Sequence, residues 1–126
     1  MAEHPNAVMA RQLADALSRG DLQALEGLLA DDVVWHEIGR VEPRRGKAAL
    51  RAAGPGGGAV DHQITGTLHD VIANDDHAIA LVDATATRAG KTLTYRTAEI
   101  YHIRDGKIVE RWALSDDTAA IIAFFA

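Results

Sequence analysis

The sequence predicts an α+β domain in which three N-terminal helices pack on a strongly curved antiparallel sheet, with a short C-terminal helix after it. Two patterns carry that expectation. Apolar residues recur at helical spacing through the first third of the chain, and four long segments rich in β-branched residues fill the second half, separated by turn signals. Size is the third observation. With 126 residues and 48% apolar composition, the chain suits one compact domain over residues 1–126, large enough to enclose a small-molecule cavity as well as a core.

The first helix is expected from Pro5 to Arg19, where Val8, Leu13 and Leu17 recur at helical spacing, helped by Ala10, Ala14 and Ala16. Gly20 can take the left-handed conformation that ends it, and Asp21 can accept from the free N–H groups of the next helix. That second helix carries Leu22, Leu25, Leu28 and Leu29 along one side. Asp31-Asp32 closes it before a strand, VVWHEI, over residues 33–38.

After a loop containing Pro43, Gly46 introduces a short third helix from Lys47 to Ala53. The stretch GPGGG, residues 54–58, reads as a mobile loop. It lacks a preceding strand and the Lys-Ser/Thr ending of a phosphate-cradling loop. The strands QITGTLHDVIA, HAIALVDATATR, TLTYRTAEIYHI and KIVERWALS follow, joined as hairpins at Asn-Asp-Asp, Ala-Gly and Asp-Gly. Ser115-Asp116-Asp117 can cap a last helix ending IIAFF. A sheet of this kind needs one face covered, and the N-terminal helices are the cover available. The expected product is a cone with a cavity between helices and sheet.

Composition removes several functional classes. The formal charge is −5 and the Lys and Arg residues are scattered, so the chain lacks the basic patch that phosphate binding requires, and nucleic acid is not an expected partner. Without cysteine there is no disulfide, thiolate nucleophile or thiolate-bound metal. His36, His62, His69, His77 and His102 show no HxxxH or HxH spacing, so no metal is expected either. Neither Ser18 nor Ser115 has a nucleophile-elbow setting. No basic-then-apolar leader opens the chain and no run of about 18 apolar residues occurs in it. The expectation is a cytoplasmic, cofactor-free protein without membrane attachment, whose partner is a small molecule.

The order helix, Gly-Asp, helix, Ala-Asp-Asp, strand, then long hairpins with an Asp-Gly-Lys-Ile turn, resembles the NTF2-like superfamily. Within it the nearest likeness is to the SnoaL-like polyketide cyclases and the ketosteroid isomerases, over nearly the whole chain. The resemblance implies a cone-shaped roll, an apolar polyketide- or steroid-like ligand and a homodimer. GDLQALEGLLADDVVWHEIGRVEPRRG, residues 20–46, fits the isomerase pattern without a gap and places Glu37 on the catalytic base, an aspartate in those enzymes. AEIYHIRDGKI places Glu99 on the second acidic position, which the isomerases keep protonated to hydrogen-bond an oxyanion. Two positions depart from the pattern. The isomerases' oxyanion-hole tyrosine aligns with Leu13, and the acid that cyclases often carry after the last-strand tryptophan aligns with Ala113, next to Trp112.

Strand alternation puts Val33, Trp35 and Glu37 on one face and Val34, His36 and Ile38 on the other. A carboxylate beside the Trp35 indole loses hydration and becomes a better base near neutral pH; the plain alternative is a solvated strand-end glutamate. Glu99 lies in the middle of a central strand, and its neighbours depend on the turn that follows. A three-residue loop at Arg104-Asp105-Gly106 puts it opposite Arg111, with Ala113 and Ser115 on the same face; a two-residue Asp105-Gly106 turn puts it against Trp112. The first register is favoured because it keeps step with the family. A Glu99–Arg111 pair would hold Glu99 as the carboxylate, the opposite of an oxyanion donor. It would suit a site in which Arg111 binds a substrate oxygen, or else a structural cross-strand ion pair.

Val82 and Ala84, within the small-residue row Ala78 to Ala86, leave room for a ligand of ring-system size, and Tyr95 and Tyr101 share the face of Glu99 as possible phenol donors. The expected site is therefore Glu37 and Glu99 as catalytic groups, with Trp35, Arg111, Tyr101, Val82, Ala84, Leu13 and Ala113 binding the substrate. The reaction expected is proton abstraction next to a carbonyl, leading to isomerisation or ring closure. Two alternatives stand beside it: a non-catalytic small-molecule-binding module of the same fold, and an epoxide or lactone hydrolase using carboxylate-activated water. In the favoured register Ile79, Leu81, Ile100 and Trp112 form an outer apolar face that a homodimer would bury.

Overall fold

The computed structural model describes residues 2–53 and 61–126. The chain runs α1 (Pro5–Arg19), α2 (Leu22–Leu28), β1 (Leu29–Trp35), β2 (Arg44–Arg45), α3 (Lys47–Ala53), β3 (His62–Ala73), β4 (His77–Arg88), β5 (Lys91–Arg104), β6 (Lys107–Ser115) and α4 (Thr118–Phe125). The loop expected at GPGGG lies outside the described residues.

The helix ends follow local chemistry. Gly20 sits at φ 64 and its N–H donates to the Ala16 and Leu17 carbonyls, while the Asp21 carboxylate accepts from the Ala24 N–H at 3.1 Å. Ala7, Ala10, Leu13 and Ala16 form the buried stripe of α1. The buried Asn6 amide fixes the start of that helix by donating to the carbonyls of Asn74 and Asp75 in the β3–β4 turn. At the other end of the chain, Asp117 caps α4 by accepting from Ala120 N–H. Arg88 holds the far end of α4, with its Nη1 donating to the Phe124 and Ala126 carbonyls.

The six strands form one sheet in the order β2-β1-β6-β5-β4-β3. The four long strands make the expected antiparallel meander, but β1 joins it in parallel beside β6, so the sheet is mixed at that edge. No hairpin links β1 to β6, which leaves their relative direction to the path of the helices. Strand β1 also begins earlier than the apolar pattern suggests and stops at Trp35, leaving His36, Glu37 and Ile38 beyond its end.

The hairpin turns decide which residues face inward. Ala89 and Gly90 (φ 51 and 77), and Asp105 and Gly106 (φ 52 and 73), are two-residue turns with positive φ at both positions. The three-residue loop at Arg104-Asp105-Gly106 does not form. Val109 instead bulges out of β6 between the pairs Ile103↔Ile108 and His102↔Glu110. The bulge reverses the parity that the short turn sets, so Glu99 pairs with Ala113 and Arg111 with Tyr101. The favoured face is reached by a different route.

The core lies between α1, β1 and the inner face of the meander. Leu13, Leu29, Val33 and Ile108 are its largest fully buried side chains. On β4, Ala78, Ala80, Ala84 and Ala86 are all buried, and their small size leaves space above them. No helix among the described residues is long and apolar enough to cross a membrane.

Candidate active site

Between α1 and the concave face of the sheet lies a cavity of about 480 Å³, a volume suited to a small organic ligand. Alternation on β3 and β4 builds its apolar wall, with Ile64, Gly66 and Leu68 from one strand and Ala80, Val82 and Ala84 from the other. Gly66 matters for its missing side chain. A Cβ there would come within 3.0 Å of Val82 Cγ1.

The polar end is built from β5 and β6. Tyr95, Thr97, Glu99 and Tyr101 project from alternate positions of β5, and Arg111 and Trp35 close the floor. Arg111 Nη2 donates to Glu99 Oε1 across the diagonal of the strand pair, and both side chains are close to nine-tenths buried. Arg111 Nη1 donates to the main-chain oxygen of His36 at 2.7 Å, and the guanidinium carbon stands 4.8 Å from the centre of the Trp35 ring. Three contacts therefore hold the guanidinium. Its Nε–H is sealed from solvent and has no hydrogen-bond partner among the described residues, an arrangement that costs free energy.

Glu99 Oε2 takes no hydrogen bond among the described residues and is not one of the sealed atoms, so it opens on the cavity. Burial, reinforced by the Glu99 charge and opposed by Arg111, pushes the Tyr101 hydroxyl well above the ordinary phenol range. Burial also raises Tyr95, again with Glu99 contributing. Both phenols are proton donors at neutral pH.

Three expected site residues are not brought to this cavity. Glu37 is absent from the lining and turns instead to Arg44, whose Nε donates to Oε1 at 2.7 Å and whose Nη2 reaches Oε2 at 3.4 Å. The inward parity of Trp35 does not carry over because the strand ends there, and it is Ile38 that lines the cavity. Leu13 is fully buried in the core instead of facing the ligand space. Ala113 pairs with Glu99 but does not reach the lining. Among the described residues no three His, Asp or Glu side chains are grouped so as to hold a metal ion.

A model of the SnoaL-like domain matches residues 10–111. The chain belongs to the SnoaL-like domain family. This SnoaL-like chain is 32% identical, over the full length of both proteins, to an uncharacterized protein of Mycobacterium tuberculosis, Rv0034. Among solved structures it resembles Bal32a from a soil-derived mobile gene cassette, with a TM-score of 0.82, 25% identity and 97% of each chain covered. It shares the fold of IdmH, a putative polyketide cyclase from Streptomyces antibioticus, at a TM-score of 0.68 and 22% identity, covering 98% of this chain and 100% of that one.

Some lining residues of this SnoaL-like domain had no sequence signal strong enough to single them out. Thr97 and Gly66 sit at positions of inward parity, yet a threonine or glycine in a strand carries no chemical mark of its own. Ala14, Leu17 and Ser18 reach the cavity from the last turns of α1. Their helical spacing was legible, but which part of that face meets open space was not.

Proposed function

We propose that this protein is a small, cofactor-independent enzyme that binds an apolar small molecule carrying a carbonyl group and moves a proton on it. The observation that carries this reading is the buried Glu99–Arg111 pair at the floor of an apolar cavity, with Glu99 Oε2 open to it. A carbonyl oxygen seated beside the Arg111 guanidinium would lie against its charge. Glu99 Oε2 would then take a proton from the adjacent carbon, the C–H electron pair would pass into the carbonyl, and the charge on oxygen would rest against the guanidinium. Return of the proton at a different carbon completes an isomerisation; attack of the enolate on a second carbonyl closes a ring. Glu99 takes over the role expected of Glu37, because Glu37 is occupied by Arg44 outside the cavity. Tyr101 and Tyr95 supply hydroxyl donors on the same face.

The test is isotope exchange. A panel of enolisable ring ketones, 2-tetralone among them, is incubated with the protein in deuterated water, and loss of the proton signal beside the carbonyl is followed by NMR. Exchange faster than in buffer is expected, falling about 10²- to 10⁴-fold in Glu99→Gln. Equal exchange in that variant removes Glu99 from the mechanism. Ketones that bind without exchanging point to a binding module, and labelled solvent oxygen in an epoxide or lactone product points to hydrolysis.

We further propose that the protein works as a cytoplasmic homodimer through the convex face of the sheet. Ile72, Ile79, Ile100 and Trp112 lie in register across four strands there. Ile72 and Leu114 remain 55% and 62% exposed, an apolar surface that a second copy would remove from water.

A further inference from the structure

His36 follows the strand whose tryptophan lines the cavity, yet its imidazole lies on the opposite face of the sheet. Its Nε2 is 2.8 Å from Glu110 Oε2, and its ring is stacked on Trp112 with centroids 6.2 Å apart and planes within 3°. The main chain of the same residue is tied to β6 in both directions: its N–H donates to the Arg111 carbonyl at 2.9 Å, and its carbonyl accepts from Arg111 Nη1 at 2.7 Å. Three successive residues of one strand therefore grip one residue of another. Glu110 does so with its carboxylate, Arg111 with backbone and guanidinium, and Trp112 with its indole.

The grip stands where support is otherwise weakest. Regular pairing of β1 stops at Trp35, and the parallel β1–β6 ladder is irregular between its pairs at Leu29 and Val34. Beyond His36 the chain leaves the sheet towards Ile38, which forms part of the cavity wall. Among the described residues the His36 carbonyl is the hydrogen-bond partner of Arg111 Nη1, and together with Glu99 and Trp35 it sets how the planar guanidinium, its Nε–H included, lies.

We propose that His36 is a positioning residue for the cavity: held from the outer face by Glu110 and Trp112, it fixes the carbonyl on which Arg111 hangs and so sets how the Arg111 guanidinium lies beside the cavity. Its influence on a ligand rests on the reading of Arg111 as the group that holds a substrate oxygen. The positioning itself is measured without any ligand, so the two can fail separately. The histidine acts through the sheet and does not touch substrate.

The experiment follows the side-chain N–H signal of Arg111 Nε by nitrogen–proton NMR on the full chain, assigned by its loss in Arg111→Lys. In His36→Ala the signal is expected to move and to exchange with solvent about tenfold faster, as loss of one or two hydrogen bonds at the anchor would allow. Glu110→Ala, which breaks the same contact from the other strand, is expected to reproduce the change. His36→Gln keeps a donor within reach of Glu110 and is expected to recover most of the original signal. An Arg111 signal unchanged in folded His36→Ala or Glu110→Ala overturns the proposal, as does a His36→Gln variant as disturbed as His36→Ala.

Discussion

At the scale of single residues, the chemistry gathers on a few side chains that restrain one another. Glu99 and Arg111 sit in surroundings where neither charge is stable alone, and what makes the pair tolerable is geometry: one carboxylate, one carbonyl and one aromatic face around a single guanidinium. Tyr101 lies in the same environment, and its raised pKa is a statement about stability. The folded state holds the phenolic proton more tightly than the unfolded chain, so the contribution of Tyr101 is complete below about pH 10 and is lost as pH rises beyond it. Urea unfolding at a series of alkaline pH values is expected to show Tyr101→Phe losing stability less steeply than the parent above pH 10, by about 1 kcal/mol per pH unit. Parallel slopes for the two proteins would mean that Tyr101 titrates normally.

Among the elements, turns and bulges have the greatest leverage because strand parity admits no intermediate: a side chain faces the cavity or it does not. Val109 illustrates this, since without an extra residue on β6 a two-residue turn would set Trp112 against Glu99. The other hairpin has a local weakness. Ala89 occupies a left-handed position at φ 51, where a Cβ is unfavourable and asparagine is better tolerated. Ala89→Asn is expected to raise the stability of the chain by about 1 kcal/mol with no change in ligand binding, read from the urea midpoint. A lower midpoint would show that neighbouring contacts, and not backbone strain, govern that turn.

For the whole molecule, the sheet has two faces with different tasks. The concave face holds the cavity, and the convex face carries an apolar row together with the Glu110–His36 contact that supports the cavity floor. Placing a charge on the convex face should interfere with association first. Leu114→Glu is expected to convert a dimer into a 13.5 kDa monomer in sedimentation at micromolar concentration, while the β-rich circular dichroism is retained. A parent protein that is itself monomeric at high micromolar concentration would remove the homodimer.

How much of this could be read from the chain depends on how local each cause is. Hydrophobic period, glycine and aspartate caps, and the Ala-Gly and Asp-Gly turns act over a few residues, and they located α1, α3 and the long strands before any contact was known. The alanine row of β4 was legible for the same reason, whereas the face of Glu99 hung on the turn after β5 and was set by the Val109 bulge that no local signal marks. The order of its Gly-Asp and Ala-Asp-Asp signals and long hairpins also carried a family resemblance, and the SnoaL-like domain match over residues 10–111 agrees with it. The end of β1 was not legible: a strand stops where its partners stop, and those partners are Arg44 and Arg111, 9 and 76 residues away from Trp35 in the chain. That single boundary turned Glu37 out to Arg44 and brought Ile38 in, and only the tertiary structure could place it. The hold of His36 on Arg111 was hidden likewise, because it joins two faces of a sheet through a main-chain carbonyl that carries no side-chain signature.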